Sequence, residues 1–395
     1  MKKQALLFVL LSSLVLTGCG NRNTSKDDGP KADVDLGEKE FHTELMDRYL
    51  ADDWKNIKEY IPVVSADNPT GADKDKLLGD VSQPEAIKLE FEAEDAQEYV
   101  VQIAKTIDFA NAKEVNVKEK SYDFYNSEIN QQYYYRAAVS KEALAAAKVY
   151  TFKVKDEAPR NIKVDGVINF RDCGGWKSSL VKDGHVKQGL YYRCAQFDDT
   201  YSASKVNITE EGKATIKELG IKVDVDMRDN PRKTSPAASE DWPVEVLNGA
   251  VASGTENIRW EGKNATGSDT KIAKTYKKIF EAIAEADQKP IALHCTHGAD
   301  RTGIVSFFLL ALCGVSADDC GRDYSLTRFA GERKVWHEDE FDNWVNKTNA
   351  VVVEGNENAT FADKMFEHMN KDFEIEADTL ETIREKFVPG YTRAA

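Results

Sequence analysis

The chain has 395 residues, 41% of them hydrophobic and 31% charged, which fits a globular protein of two or three domains with a real core. Its formal net charge of -15 excludes a general nucleic-acid or anionic-membrane binder, because proteins that track a phosphate backbone need a basic surface.

In chain order, Lys2 and Lys3 precede an apolar run from Ala5 to Leu16 that is too short for a comfortable bilayer span and reads as an export signal. The run ends Leu16-Thr17-Gly18-Cys19, which resembles a bacterial lipobox and implies cleavage before Cys19 and lipidation of that cysteine; an uncleaved anchor or a plain secretory signal is the other reading. Several acyl chains there would hold the protein on a membrane surface outside the cytoplasm. Residues 1–19 are therefore read as a lipoprotein signal peptide and 20–39 as a flexible polar tether. Residues 40–82 are read as a helical segment, in which Leu45, Tyr49, Leu50, Trp54, Ile57 and Ile61 recur at amphipathic spacing. Beyond Cys19 there are five cysteines, an odd number that leaves at least one free thiol in an oxidising compartment. Cys295 is the candidate, and a Cys173–Cys194 pairing stays open.

Residues 83–158 change character. Stretches such as "AIKLEFEAE", "EYVVQIAK", "QQYYYRAAV" and "VYTFKVK" alternate like short strands, with "SKEALAAAK" as a helical turn between two of them. That spacing predicts a small immunoglobulin-like β-sandwich, carrying no catalytic cluster. From residue 159 to 395, strand-like "GLYYRCA" and "IKVDVDMR" alternate with helix-like "ITEEGKATIKELG" and "KIAKTYKKIFEAIAEA". The fold class expected is α/β, a domain with a central sheet flanked by helices, preceded by the small β-sandwich module. "AVVVEG", near residue 350, carries the last strand signal.

The chemistry concentrates in "HCTHGADRTG", residues 294–303. "KPIALHC" delivers Cys295 from a buried strand, and "TGIVSFFLLALCG" continues as a helix apolar nearly all round, which belongs in a core. Between them Thr296, His297, Gly298 and Ala299 would curl with their amides inward, an anion cradle of phosphate size at a helix N-terminus. Gly298 relieves the tight curl, and Arg301 supplies a planar fork for two phosphate oxygens. The same field should depress the Cys295 pKa, with Thr302 donating to the sulfur and His294 orienting the loop. A metal site from His294, Cys295 and His297 is disfavoured, since neighbours on a strand point to opposite faces and no second ligand cluster follows. No cofactor is expected.

"HCTHGADRTG" resembles the signature loop of the cysteine-dependent protein tyrosine phosphatase superfamily. "NFRDCGGW" (Asn169 to Trp176) is similar to the motif of bacterial members of that superfamily of the secreted mycobacterial type. "GLYYRCAQF", "LGIKVDVDMRDNPR" and "ALCGVSADDCGRDYSLT" resemble stretches that accompany it there, so the likeness runs from about Ala158 to Ala395 and spares the β-sandwich. It implies metal-independent hydrolysis of phosphate monoesters, phosphotyrosine in proteins or a related ester, through a phosphocysteine on Cys295. For the proton donor it offers Asp300, inside the loop, ahead of Asp226 on the strand of "VDVDMR"; Asp198 and Asp199 are more distant candidates. Asp300 and Asp226 each have a second reading, Asp300 holding the loop by accepting amide hydrogen bonds and Asp226 pairing with Arg228 or Arg171. Arg171 and Asp172 either reach the substrate or buttress the loop. The relatives' loop carries an alanine-glycine-lysine run where this chain has His297-Gly298-Ala299, which counts against polyphosphorylated lipid substrates. Phe170, Trp176, Tyr191 and Tyr192 are the candidates for an aromatic pocket wall, with core packing as their other reading. An inositol phosphate such as phytate is the alternative substrate, and a non-turning-over phospho-ligand module or a surface scaffold is the alternative function. The partners expected are a phosphorylated protein or small ester and a membrane surface, with no nucleic acid.

Overall fold

The computed structural model describes residues 31–51, 83–198, 207–228, 244–248, 267–329 and 338–393. The stretch read as a signal segment, Cys19 and most of the stretch read as helical lie outside the described residues; of the last, α1 (Glu44–Leu50) is seen, started by Thr43, whose hydroxyl accepts from the Met46 amide.

The first module contains β1 (Val34–Lys39), β2 (Ile87–Glu90), β3 (Tyr99–Ala104), β4 (Lys113–Val117), β5 (Ser121–Phe124), β6 (Gln132–Ala138) and β7 (Tyr150–Val154). They form a five-stranded sheet in the order β1-β7-β6-β3-β4 and a β2–β5 ribbon that share one core. The period of two explains it: in β6, Tyr133, Tyr135 and Ala137 turn inward, and Tyr133 stacks on Phe152 of β7. A 3-10 turn at Glu142–Ala146 fills the β6–β7 connection where the helical turn was expected. One boundary is corrected. Residues 34–39, assigned from sequence to the tether, are β1, paired parallel with β7 across a bulge between Asp35 and Glu38. Gly37, at φ +68°, interrupts the alternation of Val34 and Leu36 that would have marked a strand.

The second module begins with β8 (Arg160–Asn161) and β9 (Arg171–Asp172) and the ribbon β10 (Lys177–Ser178) and β11 (Gly184–His185). It continues through β12 (Tyr191–Cys194), α2 (Glu210–Glu218), β13 (Val223–Asp226), β14 (Glu245–Asn248), α3 (Gly267–Ile283) and β15 (Ile291–His294). It ends in helices α4 (Asp300–Leu312), α5 (Ala317–Ser325), α6 (Glu338–Asn349), α7 (Phe361–Asp372) and α8 (Ala377–Phe387). The sheet order is β14-β13-β15-β12-β9-β8, the first four strands parallel and the last two antiparallel. Parallel strands must be covered on both faces, and β12, β13 and β15 are buried at every residue. Helix α4 runs through the core, buried from Thr302 to Leu312, as its uninterrupted apolar run requires. The buried Arg384 of α8 donates to its terminal carbonyl at Leu312, 3.1 Å away. "AVVVEG" forms no strand; Val352 is exposed.

Candidate active site

The 294–303 loop joins the carboxyl end of β15 to the N-terminus of α4, where ligands collect in open parallel sheets. β15 is the central parallel strand, flanked by β12 and β13, so the loop is bordered by the ends of both neighbours. Gly298 sits at φ +67°, and a Cβ there would lie 2.2 Å from the Cys194 carbonyl oxygen; the curl admits no side chain. No side chain caps α4 at Ala299, which leaves its first amides to the loop.

Cys295 is 4% exposed, and its thiol titrates below its ordinary value of 9.0. Burial works against this; the Thr302 hydroxyl, the Arg301 guanidinium and the amides of Thr302 and Ala299 outweigh it. The Thr302 hydroxyl is itself buried with no oxygen or nitrogen partner, which leaves it to face the sulfur. The other four described cysteines are buried, unpaired and pushed the opposite way: burial drives Cys173, Cys194 and Cys320 well above the usual thiol range and Cys313 up to about 12. No Cys173–Cys194 disulfide is present. Arg301, half-buried, donates from Nη1 to the Met227 carbonyl at 2.7 Å, which ties the start of α4 to the end of β13. Asp300 is the first residue of α4 and half-buried, and Thr296 and His297 are half-buried beside it.

His294 faces inward from β15. Its Nδ1 donates to the Cys295 carbonyl at 3.0 Å, and its Nε2 lies 3.0 Å from Asp224 Oδ1 on β13. Burial alone would discharge the ring, but the Asp224 and Asp226 carboxylates hold it protonated, its pKa raised to about 9, while burial pushes Asp224 itself above its ordinary value against the pull of His294. Asp226 is chelated by Arg228, at 2.7 Å from Nη2 and 2.9 Å from Nε. Burial raises its pKa, yet the His294 and Arg228 charges win and keep it below the usual carboxylate value. The pairing of Asp226 with Arg228 is thus the reading the geometry takes up. Asp198, one of the more distant acid candidates, is also bound to Arg228.

For Arg171 the structure takes up the buttressing reading, and for Asp172 neither of its two readings. Arg171 is buried away from the cradle: its Nε meets Asp323 Oδ1 at 2.9 Å, its Nη2 the Asp323 carbonyl at 2.7 Å, and its Nη1 the Asn169 amide oxygen. Asp172 points the other way, accepting from Arg160 at 2.8 Å and from the Gly174 and Gly189 amides at 2.7 Å each. Residues adjacent on β9 face opposite sides of the sheet, so one motif serves two places. Phe170, Trp176, Tyr191 and Tyr192 are all buried in the core, the packing role that was the second of their two readings.

Residues outside the expected set hold the loop. Asn169, at φ 58°, donates to the carbonyls of His297 (3.0 Å) and Gly298 (3.2 Å); Arg193 donates from Nη2 to the Gly298 carbonyl at 2.8 Å. Asp323 of α5 receives both Arg171 and Arg193. Pulling the loop carbonyls outward leaves the loop amides to face inward. The signal in the sequence was a charge inside an apolar context: Arg193 in "YYRCA" and Asp323 in "GRDYSLT" need buried partners.

A depressed thiol beneath an anion-sized loop at a helix N-terminus is the kind of site that handles phosphoryl groups. The chain belongs to the tyrosine phosphatase family, whose family model matches residues 162–393, and it is a phosphoric monoester hydrolase. A protein of Cupriavidus necator named as a tyrosine-protein phosphatase is 27% identical over 202 residues, 47% of this chain and 67% of the relative. A tyrosine-protein phosphatase of Nostoc commune is 26% identical over 133 residues, 30% of this chain and 45% of that one, so the match spans under half of that relative's length. Among solved structures, P. aeruginosa TpbA is 16% identical with a TM-score of 0.28, covering 44% of this chain and 90% of its own. The core catalytic domain of the PP-IP phosphatase SIW14 from S. cerevisiae is 17% identical with a TM-score of 0.25, covering 42% and 90%. The assignment rests on the family model.

Proposed function

We propose that the protein removes phosphate from protein phosphotyrosine in two displacements through Cys295. The thiolate attacks phosphorus and the ester P–O bond breaks, while Asp300 gives its proton to the departing oxygen. Water then attacks the phosphocysteine, its proton passes to Asp300, and the S–P bond breaks to release phosphate and thiolate. Arg301 and the amides of Thr296 to Thr302 stabilise the equatorial oxygens, and Thr302 donates to the leaving sulfur. Asp226 is unsuited to the donor's role because Arg228 and His294 hold it as a carboxylate. The observation that carries this reading is the contrast among five buried thiols, of which Cys295 alone titrates below its ordinary value. The substrate class follows the names of the relatives from Cupriavidus necator and Nostoc commune. The enzyme works outside the cytoplasm, held to a bacterial membrane by lipid on Cys19.

The test is hydrolysis of an aryl phosphate and a phosphotyrosine peptide by the parent and by Cys295→Ser. The variant should lose at least about 10³-fold in kcat while binding the peptide, and acid quenching of the parent should trap a thiol-linked phosphate. A variant that keeps parental turnover rules out the cysteine mechanism. For the location, Cys19→Ser should move the protein from the membrane to the soluble fraction; continued sedimentation with membranes argues against the lipid.

A further inference from the structure

Away from the loop, at the seam of the two modules, three side chains converge that phosphate chemistry does not use. His42 lies just before Thr43, Asp47 is one turn into α1, and Glu157 is on the connection between β7 and β8. Each offers one ligand atom, and the three atoms lie within 4.8 Å of one another. The carboxylates alone would mean little, since their side chains are about half exposed, 46% for Asp47 and 50% for Glu157. The histidine is different: its side chain is 3% exposed, and its Nδ1 has no hydrogen-bond partner.

The ring's orientation is fixed from behind. Nε2 lies 2.9 Å from the Pro159 carbonyl oxygen, which only accepts, so Nε2 carries the proton and Nδ1 turns its lone pair toward the two carboxylates. A metal-ligating histidine is commonly held in just this manner, its far nitrogen donating to a carbonyl or carboxylate. Nδ1 sits 3.4 Å from Asp47 Oδ1. A proton shared between them would draw the pair to roughly 2.8 Å. Two donors that each lie about 2.0–2.1 Å from a tetrahedral zinc stand roughly 3.4 Å apart. Glu157 needs a small side-chain swing to join them, which its exposure permits. Lys155 is the competing cation, but it pairs with Glu40 and stands 4.0 Å from Glu157. Beside the cluster opens a cavity of about 540 Å³, bordered by Asp47, Glu157, His185 and Trp176, which gives water a route to a fourth position.

We propose that His42, Asp47 and Glu157 form a zinc site that ties α1 to the connection between the modules. One imidazole with two carboxylates suits zinc, whereas magnesium and calcium favour all-oxygen shells. The ion would be structural, remote from Cys295, and independent of the phosphatase mechanism.

The experiment uses the full-length chain carrying Cys295→Ser, because a thiolate binds zinc itself. After metal removal, zinc is titrated by calorimetry, and thermal unfolding is followed with zinc, with magnesium and without either. One saturable site and a Tm rise of several degrees with zinc but not magnesium are expected. The Asp47→Asn/Glu157→Gln double variant should bind zinc at least about tenfold more weakly and lose the Tm rise. Both side chains are half exposed, so the amides should leave the fold intact, which circular dichroism checks; His42→Gln then serves as the second variant. Zinc bound equally well by the double variant, an equal response to magnesium, or no saturable binding would each overturn the site.

Discussion

At the scale of single residues, Asp300 is the proposed proton donor, whereas His294 carries a proton that it keeps. A donor matters in proportion to how badly the departing oxygen needs a proton. Asp300→Asn should therefore lower kcat about 10²–10³-fold on an alkyl phosphate and much less on an aryl ester with an acidic phenol. Equal losses on both esters would send the role elsewhere. His294 is a structural cation: its pKa rises on folding from 6.5 to about 9, in the field of Asp224 and Asp226 and against burial and Arg228. A group whose pKa is raised by folding contributes stability that is complete below its unfolded pKa and is lost as pH climbs through the folded one. Unfolding free energy should accordingly fall by about 2 kcal/mol between pH about 6.5 and about 8, short of the range where the four raised thiols add a fall of the same sign, measured by urea titration in the Cys295→Ser background. That background matters, since a depressed thiol contributes a slope of opposite sign. A flat profile over that window would show that His294 is neutral in the fold. That Cys295 stands apart from the other thiols was legible in the sequence, because cysteine, glycine and arginine at that spacing have a purpose few other arrangements share. The partner of Asp226 was only one of two readings, since choosing between Arg228 and Arg171 needs the third dimension.

At the scale of elements, the loop is held by a frame from two strands and a helix. Asn169 before β9, Arg193 on β12 and Asp323 on α5 meet around the carbonyls of residues 297 and 298, with Arg171 closing the network. Every member is buried, so its value is conditional on completeness. Asp323→Asn would leave two guanidinium groups in the core with no counter-charge, a loss of about 3–5 kcal/mol. Activity should fall with it, as the loop carbonyls relax inward and oppose the phosphate. The check is a denaturant titration beside kcat/KM at a temperature where the variant is still folded; parental values in both would mean that the two arginines find another acceptor. This frame was the least legible part of the site. "NFRDCGG" was visible as a motif, but Arg171 and Asp172 serve opposite faces of the sheet, and nothing in the string says that the partner of one is Asp323 in "GRDYSLT" and of the other Arg160. For the aromatics the core-packing reading holds: Phe170, Trp176, Tyr191 and Tyr192 are close in sequence to the site yet are spent on the core.

At the scale of the whole molecule, long apolar runs such as β15–α4 and strongly alternating strands such as β6 were legible, because their burial is written in their periodicity. β1 was not, since a six-residue strand broken by Gly37 looks like linker until β7 is there to pair with it. The same limit hid how firmly the modules join. Arg160, at the start of the catalytic sheet, is buried and reaches in both directions: Nη1 to Asp172 at 2.8 Å, Nε to the Ser127 carbonyl at 2.9 Å and Nη2 to the Asn126 carbonyl at 2.8 Å. Gln188 and Ile129 add a reciprocal pair of bonds, 2.9 and 3.0 Å, across the same seam. The β-module is thus bonded to the catalytic sheet through buried polar groups, and the two should unfold in one transition. Arg160→Ala strands the Asp172 carboxylate in the core and frees two carbonyls of the β-module, a cost of about 3–5 kcal/mol. Calorimetry should then show a lower Tm and a split into two transitions, one per module. Arg160→Met with Asp172→Asn removes both charges together and should recover much of the loss in the catalytic module while leaving the split, because the carbonyls of residues 126 and 127 still lack their donor. A single transition in Arg160→Ala would mean that the seam is held by its other contacts; two transitions in the parent would mean that the modules are independent bodies.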